Sequence, residues 1–430
     1  MKRNGLIGVA VLCGWCAGAG ALDFSYRDNT VEQFDLSRTV RMGLDNNTEL
    51  LTAEQDVLIA AQQVNEARFQ FLPQPSVSGS ASKFNAKAPM ILPVEYGAQL
   101  INPSDYENFY SVRMMLTQPL FRGRRIVNGY NMAKAGFEKA RSLYEEIRRR
   151  VERDLKRAFY ETLYLKQKQA ETARWLGLMS GQRQTMQLNS WNAIAADGII
   201  ENMTGRMEEA TRDLNTQKLN LVRLLNRETG ENIDVDDQFE ALPATVDLNK
   251  ALVWAMEYRP ELKTQIYKAQ MESIAVNLAK TRNYPSVDLG VNYDIVGNTF
   301  PLESNSWAAT LAVRLPISYD LWTKLKTRRA EQRQGDLVRA SVEDTVRMEV
   351  RQAYENLVFW QSESEKRKNT CDRLEKTYQS ALKTDKLGLD ALQAGQAVFL
   401  SRSTYLEAVK NQLAARAEIE WAIGQELAYE

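Results

Sequence analysis

Val287-Asp288-Leu289-Gly290-Val291-Asn292-Tyr293-Asp294-Ile295 changes character at every step: the odd positions are apolar, while Asp288, Asn292 and Asp294 are polar. A second run follows, with Trp307, Ala309, Leu311, Val313 and Leu315 set against Ala308, Thr310, Ala312 and Arg314. A period of two is the mark of a strand with two unlike faces. Each run lasts about ten residues, enough for a tilted strand to cross a bilayer. In that setting Val287, Leu289, Val291, Leu311 and Val313 face lipid, and Asp288, Asn292, Asp294 and Arg314 face a lumen. The pattern fits equally well a pair of soluble hairpins with one face on a core. Tyr106, Phe109, Tyr284, Trp307, Tyr319 and Trp322 lie near strand ends, where a membrane protein carries an aromatic girdle.

The same plan occurs earlier in the chain. Tyr110, Val112, Met114 and Leu116 alternate with Ser111, Arg113, Met115 and Thr117, and Val77, Gly79 and Ala81 alternate with serines. Asp35-Leu36-Ser37-Arg38-Thr39-Val40 parallels Asp247-Leu248-Asn249-Lys250-Ala251-Leu252. Pro75-Ser76-Val77 parallels Pro285-Ser286-Val287, and Gln118-Pro119-Leu120 parallels Leu315-Pro316-Ile317. The ordered matches describe one unit written twice. The first copy carries extra residues between its strands, among Phe84 to Asn108. Two strands from each copy cannot close a barrel, and an open sheet edge is not viable in lipid, so a membrane reading demands an oligomer.

Long proline-free stretches follow each strand pair, from Arg125 to about Ala195 and from Trp322 to Lys386. Tyr144, Ile147, Val151, Leu155 and Ala158 recur at helical spacing. Helices of that length span roughly 100 Å. The shorter stretches 202–226 and 248–282 read as two helices stacked beside a long one. Between them lies an irregular acidic segment with Asp234, Asp236 and Asp237. The division expected is a signal peptide at 1–21, repeat 1 at 22–230, an equatorial linker at 231–246 and repeat 2 at 247–430. Repeat 1 has strands near 76–84 and 109–117 and a helical hairpin at 125–228. Repeat 2 has strands near 286–295 and 306–315 and a helical hairpin at 322–427.

Composition narrows the function. The 430 residues carry 55 basic and 55 acidic side chains, which gives no reason to expect nucleic-acid binding. There is no histidine, so no His-based triad or His metal site is possible. No motif suggests another catalytic arrangement or a cofactor. Met1-Lys2-Arg3, an apolar stretch and Ala19-Gly20-Ala21 read as a secretory signal cut after Ala21. Neither Cys13 nor Cys16 sits in a convincing lipidation motif. Cys371 is then the sole cysteine of the mature chain, which excludes an internal disulfide.

The mature chain resembles the outer-membrane efflux protein family, the TolC-like factors. Four features carry the resemblance: the duplicated layout, the strand-to-helix exit Gln118-Pro119-Leu120-Phe121-Arg122-Gly123-Arg124-Arg125, the N-terminal helix Leu36–Leu50, and two glycine-bearing turns. These turns are Asp197-Gly198-Ile199-Ile200 and Lys386-Leu387-Gly388-Leu389. The resemblance implies a mostly α fold with a small β part. A homotrimer would form a helical periplasmic barrel continuous with a 12-stranded outer-membrane barrel, four strands per chain. It implies an exit duct for efflux or type I secretion. The partners would be a periplasmic adaptor docking at the two turns and an inner-membrane pump such as an RND or ABC transporter. The alternative is a soluble periplasmic coiled-coil structural or adhesion protein. Well-studied members carry constricting aspartates six or nine residues past the tip glycine. Here Thr204, Ala394 and Ala397 stand at those distances, so Glu201, Asp385 and Asp390 become the candidate gate charges.

Overall fold

The computed structural model describes residues 32–83, 90–94, 97–101, 108–185, 189–228, 233–241, 243–317, 319–384 and 388–427. The proposed signal peptide therefore lies outside the described residues, as do Asp385, Lys386 and Leu387. The elements run β1 (Glu32–Phe34), α1 (Leu36–Asn46), α2 (Thr48–Phe69), β2 (Gln74–Lys83), β3 (Met90–Val94), β4 (Gly97–Ile101), β5 (Asn108–Phe121), α3 (Arg125–Thr185) and α4 (Ser190–Leu224). After them come β6 (Ile233–Val235), α5 (Leu248–Tyr258), α6 (Pro260–Lys280), β7 (Ser286–Gly297), β8 (Ser304–Arg314), α7 (Leu321–Thr384) and α8 (Leu389–Ile423).

The duplication has a local physical cause at each copy's start. Asp35 caps α1 by accepting from the Arg38 N–H at 2.7 Å, and Asp247 caps α5 by accepting from the Lys250 N–H at 2.9 Å. Each short helix breaks after eleven residues, at Asn47 and at Arg259, and a second helix restarts there. Asn47 accepts from the Glu49 and Leu50 amides. Pro260 occupies the first turn of α6, where its missing N–H costs nothing.

The strands form one sheet rather than two separate hairpins. Its order is β2-β5-β7-β8, all antiparallel, so the two copies are joined through β5 and β7. The extra residues of the first copy carry a further antiparallel pair, β3 and β4. The register shifts between Pro119 and Phe121, where proline offers no amide to the ladder. The chain then turns through Gly123 at φ 59° and Arg124 at φ 63° into α3. A Cβ on Gly123 would stand 2.4 Å from the Tyr284 Cβ, so only glycine fits between this turn and the second copy.

α3 and α7 have 61 and 64 residues, each roughly 90–95 Å long. Near the sheet the helix order is α2-α3-α6-α7; towards the far end it is α4-α3-α8-α7. The half-length helices meet at mid-height. The Asn226 side chain donates to the Asn46 carbonyl at 3.1 Å, joining the end of α4 to the start of α2. Arg259 donates to the Ala422 carbonyl at 3.4 Å, joining the end of α8 to the start of α6. This corrects the expected stacking. The stretches 202–226 and 248–282 belong to different columns, and the linker crosses from one to the other. It contributes β6, which pairs in parallel with β1.

Among the described residues, three separate cores hold the wall. Phe34, Leu155, Phe159, Leu163, Leu221 and Ile233 bind the first copy at mid-height. Val346, Val350, Leu357, Ile419 and Ile423 bind the second. Trp175, Met179, Met203, Tyr378, Leu392 and Phe399 join both copies near the far end.

Candidate functional site

The sheet has two chemically distinct faces. Residues directly opposite one another across the ladder share a face, so the register sorts them. Val77 faces Met114, Met114 faces Tyr293, and Tyr293 faces Trp307. Leu116 faces Val291, Leu289 faces Leu311, and Val287 faces Val313. Most of this face is exposed apolar surface, including Val77, Met114, Leu116, Val291, Trp307, Leu311 and Val313. Large exposed apolar patches mark a surface that is covered in use.

The opposite face is polar, and Asp288, Asn292, Asp294 and Arg314 all lie on it. Asp294 accepts from Arg113 Nε at 2.5 Å and from the Asn292 amide at 2.6 Å. Asp288 accepts from Arg122 Nε at 2.9 Å. Both ion pairs run from β5 and its exit turn to β7, so each ties copy to copy. Arg314 stands opposite Ser286 and is exposed. Arg113 and Arg122 were not singled out from the sequence. The signal was present, since Arg113 occupies the polar phase of an alternating run.

At the far end the structure moves the first of the two expected turns. α3 stops at Thr185, and α4 begins at Ser190, capped by Asn189 accepting from the Asn192 amide at 2.8 Å. Asp197, Gly198, Ile199 and Ile200 are therefore inside α4, two turns past the bend. Glycine within a helical pattern, with polar Asn192 and Asp197 nearby, imitated a turn signal. Glu201 is likewise within the helix rather than at its N-terminus. Gly388 does stand at the second bend, but as the residue before α8, with extended φ −145° rather than the left-handed geometry expected of a helix C-terminal glycine. Its structural counterpart in the first copy is Asn189, because α4 and α8 both have 35 residues. Asp390 sits in the first turn of α8.

Ile199 and Leu389 pack against the far-end core, which accounts for their apolar character within the chain. Asp197 is bound by Arg183 Nε at 2.7 Å, and that hydrogen bond holds its carboxyl below the usual range. Among the described residues near the bends, Trp191 and Ile194 are the most exposed large apolar side chains, at 81% and 67% of their full accessibility. They share a helical stripe with Gly198, at steps of three and four. A Cβ on Gly198 would meet nothing within 4 Å. Sequence reasoning missed Trp191, although an apolar aromatic directly after a bend was a visible signal.

Asp234 and Arg259 are the centres of two charge clusters at mid-height. Asp234 on β6 accepts from Lys166 at 2.7 Å and pairs with Lys218 at 3.1 Å. Burial pushes its carboxyl up, but the two lysines outweigh that and hold it below the usual range. Arg259 is 3% exposed, hydrogen-bonded to Glu261 and Glu349, and stacked on Trp421 at 4.2 Å. Arg153 covers the same ring at 4.4 Å. Burial raises the Cys371 thiol against the opposing effect of Arg402. Among the described residues no group of three or more Cys, Asp or Glu side chains is arranged to hold a metal ion. No helix among them is long and apolar enough to cross a membrane.

An apolar-faced sheet continued by paired helices of about 90 Å is a specific architecture, and comparison finds it. Residues 40–228, which make up most of the first copy, match the outer membrane efflux protein family. This is the family that the chain resembles. Solved outer-membrane channels share the fold over nearly their whole length. VceC from Vibrio cholerae is 13% identical with a TM-score of 0.76, covering 91% of this chain and 97% of that one. The Campylobacter jejuni CmeC channel is 14% identical with a TM-score of 0.75, covering 100% and 95%. The open state of Neisseria gonorrhoeae MtrE is 17% identical with a TM-score of 0.75, covering 92% and 90%. At such identities the likeness is one of fold. No curated protein matches the chain. Outer membrane efflux proteins are channels rather than enzymes, and the fold expected from the sequence, mostly helical with four long strands per chain, is the one found.

Proposed function

We propose that the chain is one third of an outer-membrane exit duct. The observation that carries this is the open wall. β2 with α2 and α4 forms one free edge, and β8 with α7 forms the other. Both edge strands present unpaired backbone, which lipid does not tolerate. Both edge helices present apolar residues away from the chain: Leu51, Leu58, Ile59 and Phe69 on α2, Leu337 and Met348 on α7. Three copies joined edge to edge make a 12-stranded barrel over a helical tube, with the apolar face in lipid and Asp288, Asn292, Asp294 and Arg314 lining the lumen.

The duct is passive and takes its cargo from an inner-membrane pump of the RND or ABC type through a periplasmic adaptor, in efflux or in type I secretion. The adaptor docks at the far end, on Trp191, Ile194 and Gly198 of one bend and on Lys386, Leu387, Gly388 and Leu389 of the other. Ile199 and Ile200 support the first surface from within, and Asp197 lies exposed beside it. Glu201, Asp385 and Asp390 are the charges available to hold that end closed. The decisive experiment is the mass of detergent-solubilised protein recovered from the outer-membrane fraction. Three chain masses are expected. A stable monomer, or a protein that fractionates without detergent, overturns the reading in favour of a soluble coiled-coil or adhesion protein.

A further inference from the structure

The first turns of α7 carry a stripe that the duct itself does not use. Trp322, Lys326, Arg329 and Arg333 follow at steps of four, three and four, so they share one side of the helix. All four are exposed, Trp322 at 71%. Neighbouring cations are neutralised: Lys324 by Asp320, Arg328 by Glu331 and Arg339 by Glu343. Lys326, Arg329 and Arg333 have no carboxylate partner among the described residues. Asp336, one turn further on, is the nearest acid on that side of α7. Three free cations at successive turns repel one another, which calls for an anionic counterpart.

We propose that this stripe binds the phosphates of anionic phospholipids in the leaflet nearest the helices. The inference rests on the outer-membrane placement proposed above. Position and direction both support it. Leu315, Ile317, Tyr319 and Trp322 are exposed and continue the apolar face of β8 down to the start of α7. Lys326 lies about 6 Å below Trp322, and Arg333 about 16 Å below it. Helix side chains lean towards the N-terminus, which for α7 is the sheet end, so these long cationic arms reach upward to headgroup level. The stripe is also left open by assembly. The edge of α7 offered to a second copy runs through Ala330, Gln334, Leu337, Ser341 and Met348, about 80° further round the helix.

The test is native mass spectrometry of the intact protein after passage through nanodiscs of equal phosphatidylethanolamine and phosphatidylglycerol. Retained phosphatidylglycerol should exceed retained phosphatidylethanolamine and fall as salt rises. K326Q/R329Q/R333Q should lower phosphatidylglycerol retention by about a hundredfold, from roughly fivefold for each of the three charges. K366Q/K368Q/R373Q, on exposed residues far along the same helix, should leave it unchanged. Equal retention of both lipids, or an unaffected triple variant, overturns the proposal while leaving the duct intact. A triple variant that keeps phosphatidylglycerol but loses binding to isolated peptidoglycan assigns the stripe to the cell-wall polymer and overturns it too. Failure of the wild type to enter nanodiscs overturns the membrane reading, and the lipid site with it.

Discussion

Arg113 and Asp294 stand directly opposite one another on adjacent strands, 181 residues apart in sequence, and their side chains meet at 2.5 Å. One comes from each copy of the repeat. Both are mostly buried; Arg113 Nη2 donates a second hydrogen bond to the carboxylate at 3.3 Å, and Asn292 supplies a third. Asp294→Leu alone leaves the guanidinium without its partner and should cost about 3 kcal/mol. Arg113→Met/Asp294→Leu should recover a large part of that loss. A double-mutant cycle on the denaturant midpoint checks it, and additive losses would show that the pair is not coupled.

The two faces of the sheet should label oppositely. Cysteines at Val291 and Leu311 should react with a lipid-soluble reagent, and those at Asn292 and Ser306 with a water-soluble one. Leu311→Arg should cost about 2–4 kcal/mol near the bilayer midplane. Uniform labelling along β7 and β8 would refute the assignment.

At Gly198 a Cβ meets nothing within 4 Å, so Gly198→Trp starts from open space. It should leave the oligomer and its membrane insertion unchanged and abolish export by blocking the partner. Trp191→Ala should weaken export without changing stability by more than about 0.5 kcal/mol, since the side chain is exposed. Normal efflux in cells carrying both changes would remove the docking surface from α4.

The two far bends differ in their caps. Asn189→Ala removes a side-chain cap and should cost about 1 kcal/mol. Gly388→Asn supplies one where α8 has none and should slow hydrogen exchange in its first turn. Exchange rates in α4 and α8 measured side by side decide the matter.

The pH response at mid-height follows from Asp234. Its folded carboxyl titrates below the ordinary value, so its contribution is present above about pH 4 and is lost as pH falls below that. The side chain is partly exposed, and screening by solvent limits the effect to about 1 kcal/mol or less. Asp234→Asn should lower the thermal midpoint slightly at pH 7, and the difference from wild type should vanish under acid conditions. A difference that grows on acidification would contradict the sign.

The sequence showed the strands and the long helices clearly because both patterns are periodic, and period two in β7 and β8 needs no tertiary context. The copy-start motif was readable for the same reason, with Asp35 and Asp247 each announcing a cap. The first far bend was misread because Gly198 is a helix breaker by propensity, whereas Asn189 closes the real bend through a single side-chain hydrogen bond. The pairing of β5 with β7 was not legible: it joins strands far apart in the chain, and no local preference encodes that choice. Nor could the linker's crossing between columns be read, because Asn226 meeting Asn46 is a contact of shape rather than of pattern.

The wall combines two uninterrupted rods, α3 and α7, with two jointed columns whose breaks lie at the same height. A rod without a break is stiff along its whole length, and a column with a joint is compliant there. Twist applied at the far bends is therefore absorbed where α4 abuts α2 and α8 abuts α6, around Asn226 and Arg259. That joint is not bare: beside it the Trp421 ring carries both the Arg153 and the Arg259 guanidinium groups, at 4.4 and 4.2 Å, so the compliance there is bounded by stacked contacts.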